Sequence, residues 1–472
     1  MARFKRGSAF NGKLQLKNGI STYTNYGDEN DPLPVFAVPT TPGSGPVLQA
    51  MAVGGGAGVT IDGLHFTGAR GDGTMNGLMG GIGIFLGGGN VFINNEISDC
   101  DIGMMLGGTG NLIQNNYVHD LIMGVDSTPD TDANVVGGAE GIFINESDNE
   151  VSFDSFVRCA GYAQWVDGRG GSDCDGGATE VSVPTNSKVW GVKIHHNFSY
   201  ESCGFLELAT VFSDVMGVFR DAEIYSNVSV NSQWLVLLQV SNTLFQNVHF
   251  YNNTIYRGND GTFDWFLIAT ILASGRTGGE LTPGEVRATN NLFVRGSSTQ
   301  PFGQGIPEAI AQTTNLDIWS GDVDPGFVNQ DGVMATDYAL TASSPAVNAG
   351  TAVPSHTADY LGHAIPDSSG VADIGAFEYD STEQVGESGP TGEGIGEATD
   401  PNPSAGGSDP GTGGAGSGTG GAGPATGGAG PATGGVDPGT GGVPEVTTYS
   451  AQAPRLALGR AAPHAGSVWP GR

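Results

Sequence analysis

Positive charge is scarce in this chain: 18 Lys and Arg stand against 49 Asp and Glu in 472 residues, a formal net charge of −31. Most of the acid excess lies before residue 381. A surface of that sign repels nucleic acid and anionic membranes, so neither is an expected partner. It also repels an anionic polysaccharide, except where a local basic strip or bound cations intervene. No run of 18 apolar residues occurs, which excludes a membrane-spanning helix. The opening MARFKRGSAF has positive charge with no apolar segment behind it, so it does not read as a secretory leader. Because FKRGSAFNGKLQLKNG already reads as strand material, we expect Met1 not to be the true start. Cysteine is rare too: Cys100, Cys159, Cys174 and Cys203 show no CxxC and no His/Cys zinc spacing. They fit either one or two disulfides or small buried residues. The glycine-rich GGIGIFLGGG at 80–89 is no phosphate loop, since no lysine follows it.

Glycine, by contrast, is abundant at 80 residues, and a short phrase recurs between the glycines. It is an apolar β-type stretch, a pair of small polar residues rich in Asn, then another apolar stretch. It reads FINNEI (92–97), IQNNYV (113–118), SFDSFV (152–157), IHHNFS (194–199), IYSNVS (224–229), FYNNTI (250–255) and ATNNLF (288–293). Taking Ser155 as the second residue of the third pair, the steps are 21, 39, 42, 30, 26 and 38 residues. None is shorter than about one coil of a solenoid, roughly 20 residues. Asn tolerates left-handed backbone angles, and like side chains on successive coils can bond as a ladder. The phrase predicts an all-β fold, a right-handed parallel β-helix wound as a single-stranded solenoid. Asn95, Asn116, Asn197, Asn227 and Asn253 should then be aligned.

The boundaries follow from composition. The solenoid is expected over residues 1–380, with core coils at about 59–296 and a closing element at 322–379. Two interruptions, around 125–140 and 160–190, read as excursions of the kind that often form a binding face. Residues 381–472 are a Gly/Pro/Thr-rich tail with almost nothing to bury, expected to be disordered.

The closing element carries the most specific resemblance: Asp324-Pro325, Phe327, Asp337-Tyr338, Leu340, Ser344-Pro345-Ala346, Asn348-Ala349-Gly350, Asp359, Gly362 and Asp373-Ile374-Gly375-Ala376-Phe377-Glu378. With the Asn-rich coils and the FKRG…FNG opening, it resembles secreted bacterial right-handed parallel β-helix proteins of the pectate-lyase superfamily. The resemblance spans about residues 1–380. It implies an extracellular or cell-surface location and a polysaccharide partner. It does not imply an activity, since such proteins include lyases, epimerases, glycosidases and proteins with no shown reaction. The paired aspartates of the polygalacturonase-like branch are missing, because no Asp-Asp occurs.

Strand alternation narrows the site. With Val192/Ile194, Ala222/Ile224, Val248/Phe250 and Val286/Ala288 inward, two columns face outward. One is Lys193, Glu223, His249, Arg287; the other is His195, Tyr225, Tyr251, Thr289. Such a strip offers cations for uronate carboxylates and aromatic faces for sugar rings, and it equally suits an ordinary solvated face. Lys193, His195, His249 and Arg287 are the candidate bases or charge-neutralising groups of a uronate lyase, with Tyr225, Tyr251 and Glu223 as substrate contacts. In the earlier coils the equivalent positions read as Val91/Ile93, Leu112/Gln114 and Val151/Phe153, mostly apolar. Asp167, Asp173, Asp175 and Glu180 are candidate Ca²⁺ ligands without EF-hand spacing, and a solvated acidic loop is the competing reading. His119-Asp120 reads as a polar turn cap or an oriented base. The functional expectation is a polysaccharide-engaging β-helix with uronate lyase activity, against a non-catalytic adhesion or matrix-binding scaffold.

Overall fold

The computed structural model describes residues 1–38, 51–53, 58–69, 82–123, 139–161, 176–184, 187–210, 217–232, 234–239, 243–258, 266–271, 281–295, 308–319, 321–367 and 369–380. The 381–472 tail lies outside them. So do most of both excursions and three of the candidate Ca²⁺ ligands, Asp167, Asp173 and Asp175.

Three parallel sheets make up the described coils. Sheet A has 12 strands, among them Lys193–His195, Gly217–Tyr225, Thr243–Tyr251 and Val286–Thr289. Sheet B has 11 and sheet C has 8. Successive strands of one sheet come from successive coils, and from Val91 to Ile271 the chain passes through A, B and C in turn. Among the described residues the only helical turn is the 3₁₀ segment Ala335–Tyr338, and no helix is long and apolar enough to cross a membrane.

The Asn phrase makes the corner between sheets A and B. The first residue of each pair is left-handed: Asn94, Asn115, His196, Ser226, Asn252 and Asn290 have φ of 56, 59, 56, 48, 50 and 52°. The second points inward and forms a ladder. Asn95, Asn116, Asn197, Asn227 and Asn253 are buried, as expected, and the ladder continues to Asn291 and Asn315. Each amide oxygen accepts from the backbone N–H one coil back, as Asn227 Oδ1 does from Asn197 at 3.0 Å. Each Nδ2 donates to the next ladder oxygen and to a carbonyl one coil back, as Asn227 does to Asn253 (2.9 Å) and Ile194 (2.9 Å). Buried turns thus satisfy their polar backbone internally.

The third phrase departs from the expected register by one residue. Its left-handed residue is Phe153, φ 56°, and Asp154 rather than Ser155 fills the ladder position. Glu150 therefore pairs with Lys193 and Ser152 with His195. Val151 is fully buried, so the outward pair there is Glu150/Ser152, not Val151/Phe153. A one-residue slip exchanges the faces of a strand. The second excursion is also shorter than expected, since Gly176–Val183 is a strand of sheet C.

The closing element covers the outer face of sheet B where that face is apolar. Ile374, Ala376, Phe377, Phe327, Tyr338 and Leu340 bury Phe198, Val228, Val230, Leu292 and Val294. Its acids are structural. Asp359 accepts backbone N–H bonds from Leu361, His363 and Glu378; Asp373 accepts from Asn348 and Tyr379, and Glu378 from Asp367 and Asp373. Cys100 and Cys159 are buried, while Cys203 is disulfide-bonded.

Candidate functional site

The two outward columns on sheet A are in the expected register. Lys193, Glu223, His249 and Arg287 are paired in turn, as are His195, Tyr225, Tyr251 and Thr289. Neighbouring members lie one strand spacing apart, about 4.8 Å. Glu150 extends the first column on the Lys193 side.

Exposure divides them. Lys193 and Arg287 are exposed, and Glu223, His249 and Tyr225 are partly buried. Arg287 is steadied by a 2.7 Å bond to Asn247 Oδ1. His249 Nε2 lies 3.0 Å from Thr289 Oγ1. Burial, with the positive charge of Arg287 adding to it, holds His249 down at about 4. At neutral pH it is therefore an uncharged imidazole, able to take a proton, directly beside a fixed cation.

The aromatic column is a continuous stack. His195 and Tyr225 are 4.6 Å apart at 9°, and Tyr225 and Tyr251 are 4.8 Å apart at 2°. Part of it is not available to a ligand, which corrects the expectation for Tyr251 and His195. Tyr251 is 1 % exposed and His195 8 %. The cause is the closing element, which sequence reading treated only as a cap. Its residues 351–363 run along the A/B corner and present His356 edge-on to both Tyr225 and Tyr251, at 5.4 and 5.2 Å. Ser226 Oγ and His356 Nε2 lie 2.8 Å apart, and Ser355 donates to Glu223 at 3.5 Å. The closing element thus walls the first column along one side. Tyr225 keeps a partly exposed edge, and burial pushes its hydroxyl up to about 12, so it stays a neutral hydrogen-bonding group.

Glu180 is not on this face. It lies in sheet C, paired with Phe143 on one side and Glu207 on the other. Among the described residues no group of three or more His, Cys, Asp or Glu is placed to hold a metal. Of the four acids proposed for calcium, Glu180 alone is among the described residues.

A second polar cluster sits on the early part of sheet B, and only its His119-Asp120 pair was visible as a motif. His119 Nδ1 is 2.8 Å from Asp120 and its Nε2 is 3.2 Å from Glu96. Glu96 also lies 3.4 Å from His65, and Arg158 bonds Asp120 at 2.6 Å. Burial would lower His119, but the bonds to Asp120 and Glu96 outweigh it and raise it. Asp120 is the left-handed turn residue, φ 53°. Both readings of the motif meet here: a turn residue orients the histidine, with each ring nitrogen already engaged.

Comparison with known proteins agrees with the coil geometry. Residues 48–186 match the family model described as "Right handed beta helix region". No curated protein sequence matches the chain. Among solved structures, it is similar to an endo-xylogalacturonan hydrolase from Aspergillus tubingensis, at 12 % identity and a TM-score of 0.44. That match covers 68 % of this chain and 85 % of the other. It is also similar to the pectate lyase Pel9A, at 15 % identity and a TM-score of 0.39, covering 80 % and 88 %. The catalytic domain of a GH87 α-1,3-glucanase matches at 11 % identity and a TM-score of 0.36, covering 68 % and 61 %. With successive turns through three parallel sheets and an Asn ladder along one corner, the chain has the fold of a right-handed parallel β-helix.

Proposed function

We propose that the outer face of sheet A engages an acidic polysaccharide outside the cell, and that it cleaves uronate chains by β-elimination. The observation that carries the reading is the pairing of His249 with Arg287: a neutral imidazole one strand from a guanidinium, on a face walled along one side by the closing element. Arg287 receives the uronate carboxylate and lowers the cost of charge that builds on it. His249 takes the proton from the carbon beside that carboxylate. The C–H pair becomes the new double bond, the glycosidic C–O bond breaks, and the departing oxygen takes a proton from solvent. Lys193, two strands away, holds a carboxylate further along the same chain. Tyr225 offers the edge of its ring and its hydroxyl to the sugar between them.

One observation favours the non-catalytic alternative. Glu223 stands between Lys193 and His249 and repels a carboxylate placed over it. A neutral sugar or a simple adhesive contact tolerates that acid better than a continuous uronate chain does.

The test is ultraviolet absorbance of the unsaturated product against pectate, alginate and glycosaminoglycans, with and without calcium. Product from the wild type, with H249A slower by about 100-fold or more, supports elimination. No product, but binding that R287Q abolishes, leaves adhesion. Activity that H249A keeps and E207Q loses moves the chemistry to sheet C.

A further inference from the structure

Where the closing segment crosses the A/B corner, two adjacent histidines form a chain of hydrogen bonds whose protons can be counted. His195 Nε2 lies 3.3 Å from Glu150 Oε1. The Nδ1 atoms of His195 and His196 are 2.8 Å apart, and His196 Nε2 is 3.0 Å from the carbonyl oxygen of Asp359. A carbonyl only accepts, so His196 Nε2 carries a hydrogen. Glu150, held low first by its bond with His195, is an ionised acceptor at neutral pH, so His195 Nε2 carries one too. The contact between the two Nδ1 atoms needs a third. Two neutral imidazoles have only two N–H hydrogens between them.

We propose that His195 and His196 hold one extra proton between them at neutral pH, and that this proton locks residues 351–363 onto the corner of sheet A. The surroundings fit a single charge. Glu150 and Glu223 face the pair from neighbouring sheet A strands, with Lys193 on the same strand. Phe153 stacks on His196 at 4.7 Å, Tyr225 stacks on His195, and the closing segment contributes His356, Asp359 and Tyr360. Lys193 and the His356 ring oppose a second positive charge, and the two carboxylates favour the first.

The lock weakens in both directions. A second proton sets N–H against N–H at the 2.8 Å contact. Loss of the shared proton leaves three bonds with two hydrogens. On the acid side, burial and the neighbouring His195 charge hold His196 down at about 3, against an ordinary 6.5. Its contribution is therefore lost as pH falls below about 6.5 towards 3. His356, held down at about 4 mainly by burial, acts in the same sense, so the acid limb belongs to both. Burial raises Asp154 and Glu378 to about 7, so they also titrate near the start of the alkaline limb, and E150Q separates the pair from them.

The experiment is nitrogen-resolved imidazole NMR on the full chain, with hydrogen-exchange protection of the Asp359 and Tyr360 amides. Those amides bond the His363 and Ala376 carbonyls. At pH 7 the expected result is both ring nitrogens of His195 protonated and His196 as the neutral Nε2–H form. Protection should fall about tenfold between about pH 7 and 9, after correction for intrinsic exchange. E150Q, whose amide can donate to a neutral ring, should make His195 neutral and remove that alkaline fall while the ladder amides keep their protection. Two neutral rings at pH 7, or an alkaline fall that E150Q leaves intact, would overturn the proposal. Sugar binding plays no part in this readout, so failure of the sheet A reading would leave it standing.

Discussion

Asp154 accepts two hydrogen bonds from Asn116, 2.6 Å from its backbone nitrogen and 2.8 Å from its side chain, all through one carboxylate oxygen. It takes an asparagine's place in the ladder without an asparagine's donor. Its own backbone still donates to Asn197 Oδ1 at 2.9 Å, but the second ladder bond to Asn197 is missing, and Oδ2 has no partner. Complete burial raises the carboxyl to about 7. The folded state thus prefers the protonated acid. The group costs stability increasingly as pH rises from 3.8 towards about 7.

It follows that D154N should stabilise the protein, because the amide supplies the missing donor and carries no charge. The expected gain at pH 8 is about 1–3 kcal/mol, shrinking below pH 5. Urea unfolding at the two pH values measures it. An equal effect at both would contradict the assignment.

In the middle of the ladder, N227A removes bonds to Ile194, Asn253 and the Asn197 backbone at a site 1 % exposed. Leaving those groups unmatched should cost about 3 kcal/mol or more. N227D should cost less at pH 5 than at pH 8, following the Asp154 pattern. Thermal unfolding at both pH values checks the order.

Gly375 anchors the closing element and has no room for a side chain. Its φ is 108°, a Cβ would sit 2.7 Å from Thr254 Oγ1, and its N–H donates to Asn290 at 2.8 Å. G375A should destabilise by about 2–3 kcal/mol. It should loosen the 351–363 segment over Tyr251, seen as faster exchange at Tyr360. Unchanged exchange there would separate the glycine from the wall it is argued to hold.

These residues show how far the sequence could be read. Apolar–pair–apolar spacing was enough for the parallel coils, the aligned Asn ladder and the pairing of Lys193, Glu223, His249 and Arg287, because all three depend on local alternation and its repeat, whereas the three separate sheets were not legible. At SFDSFV the same logic slipped by one, since an aromatic in the left-handed position and an acid in the ladder both run against residue preference. Burial of Tyr251 was not legible. It depends on His356, about a hundred residues away in sequence, and nothing local marks that contact. The His65–Glu96–His119 grouping joins three coils and had no motif to announce it.

If elimination occurs, its rate should climb with pH through about 4 as His249 loses its proton, then level off at neutral pH. R287Q should weaken substrate use about tenfold, an effect that salt mimics in the wild type because Arg287 is exposed. A rate that instead needs a protonated group near neutrality would point to His119 on sheet B, where hydrogen bonds raise the imidazole.

The most direct measurement is titration of the full-length protein with a defined acidic oligosaccharide while the imidazole signals are followed by NMR. Engagement of sheet A predicts that His249 shifts in proportion to ligand while His65 and His119 stay still, and that R287Q needs about ten times more ligand for the same shift. Movement at His65 and His119 with a silent His249, or no movement at any imidazole across the panel, would contradict it.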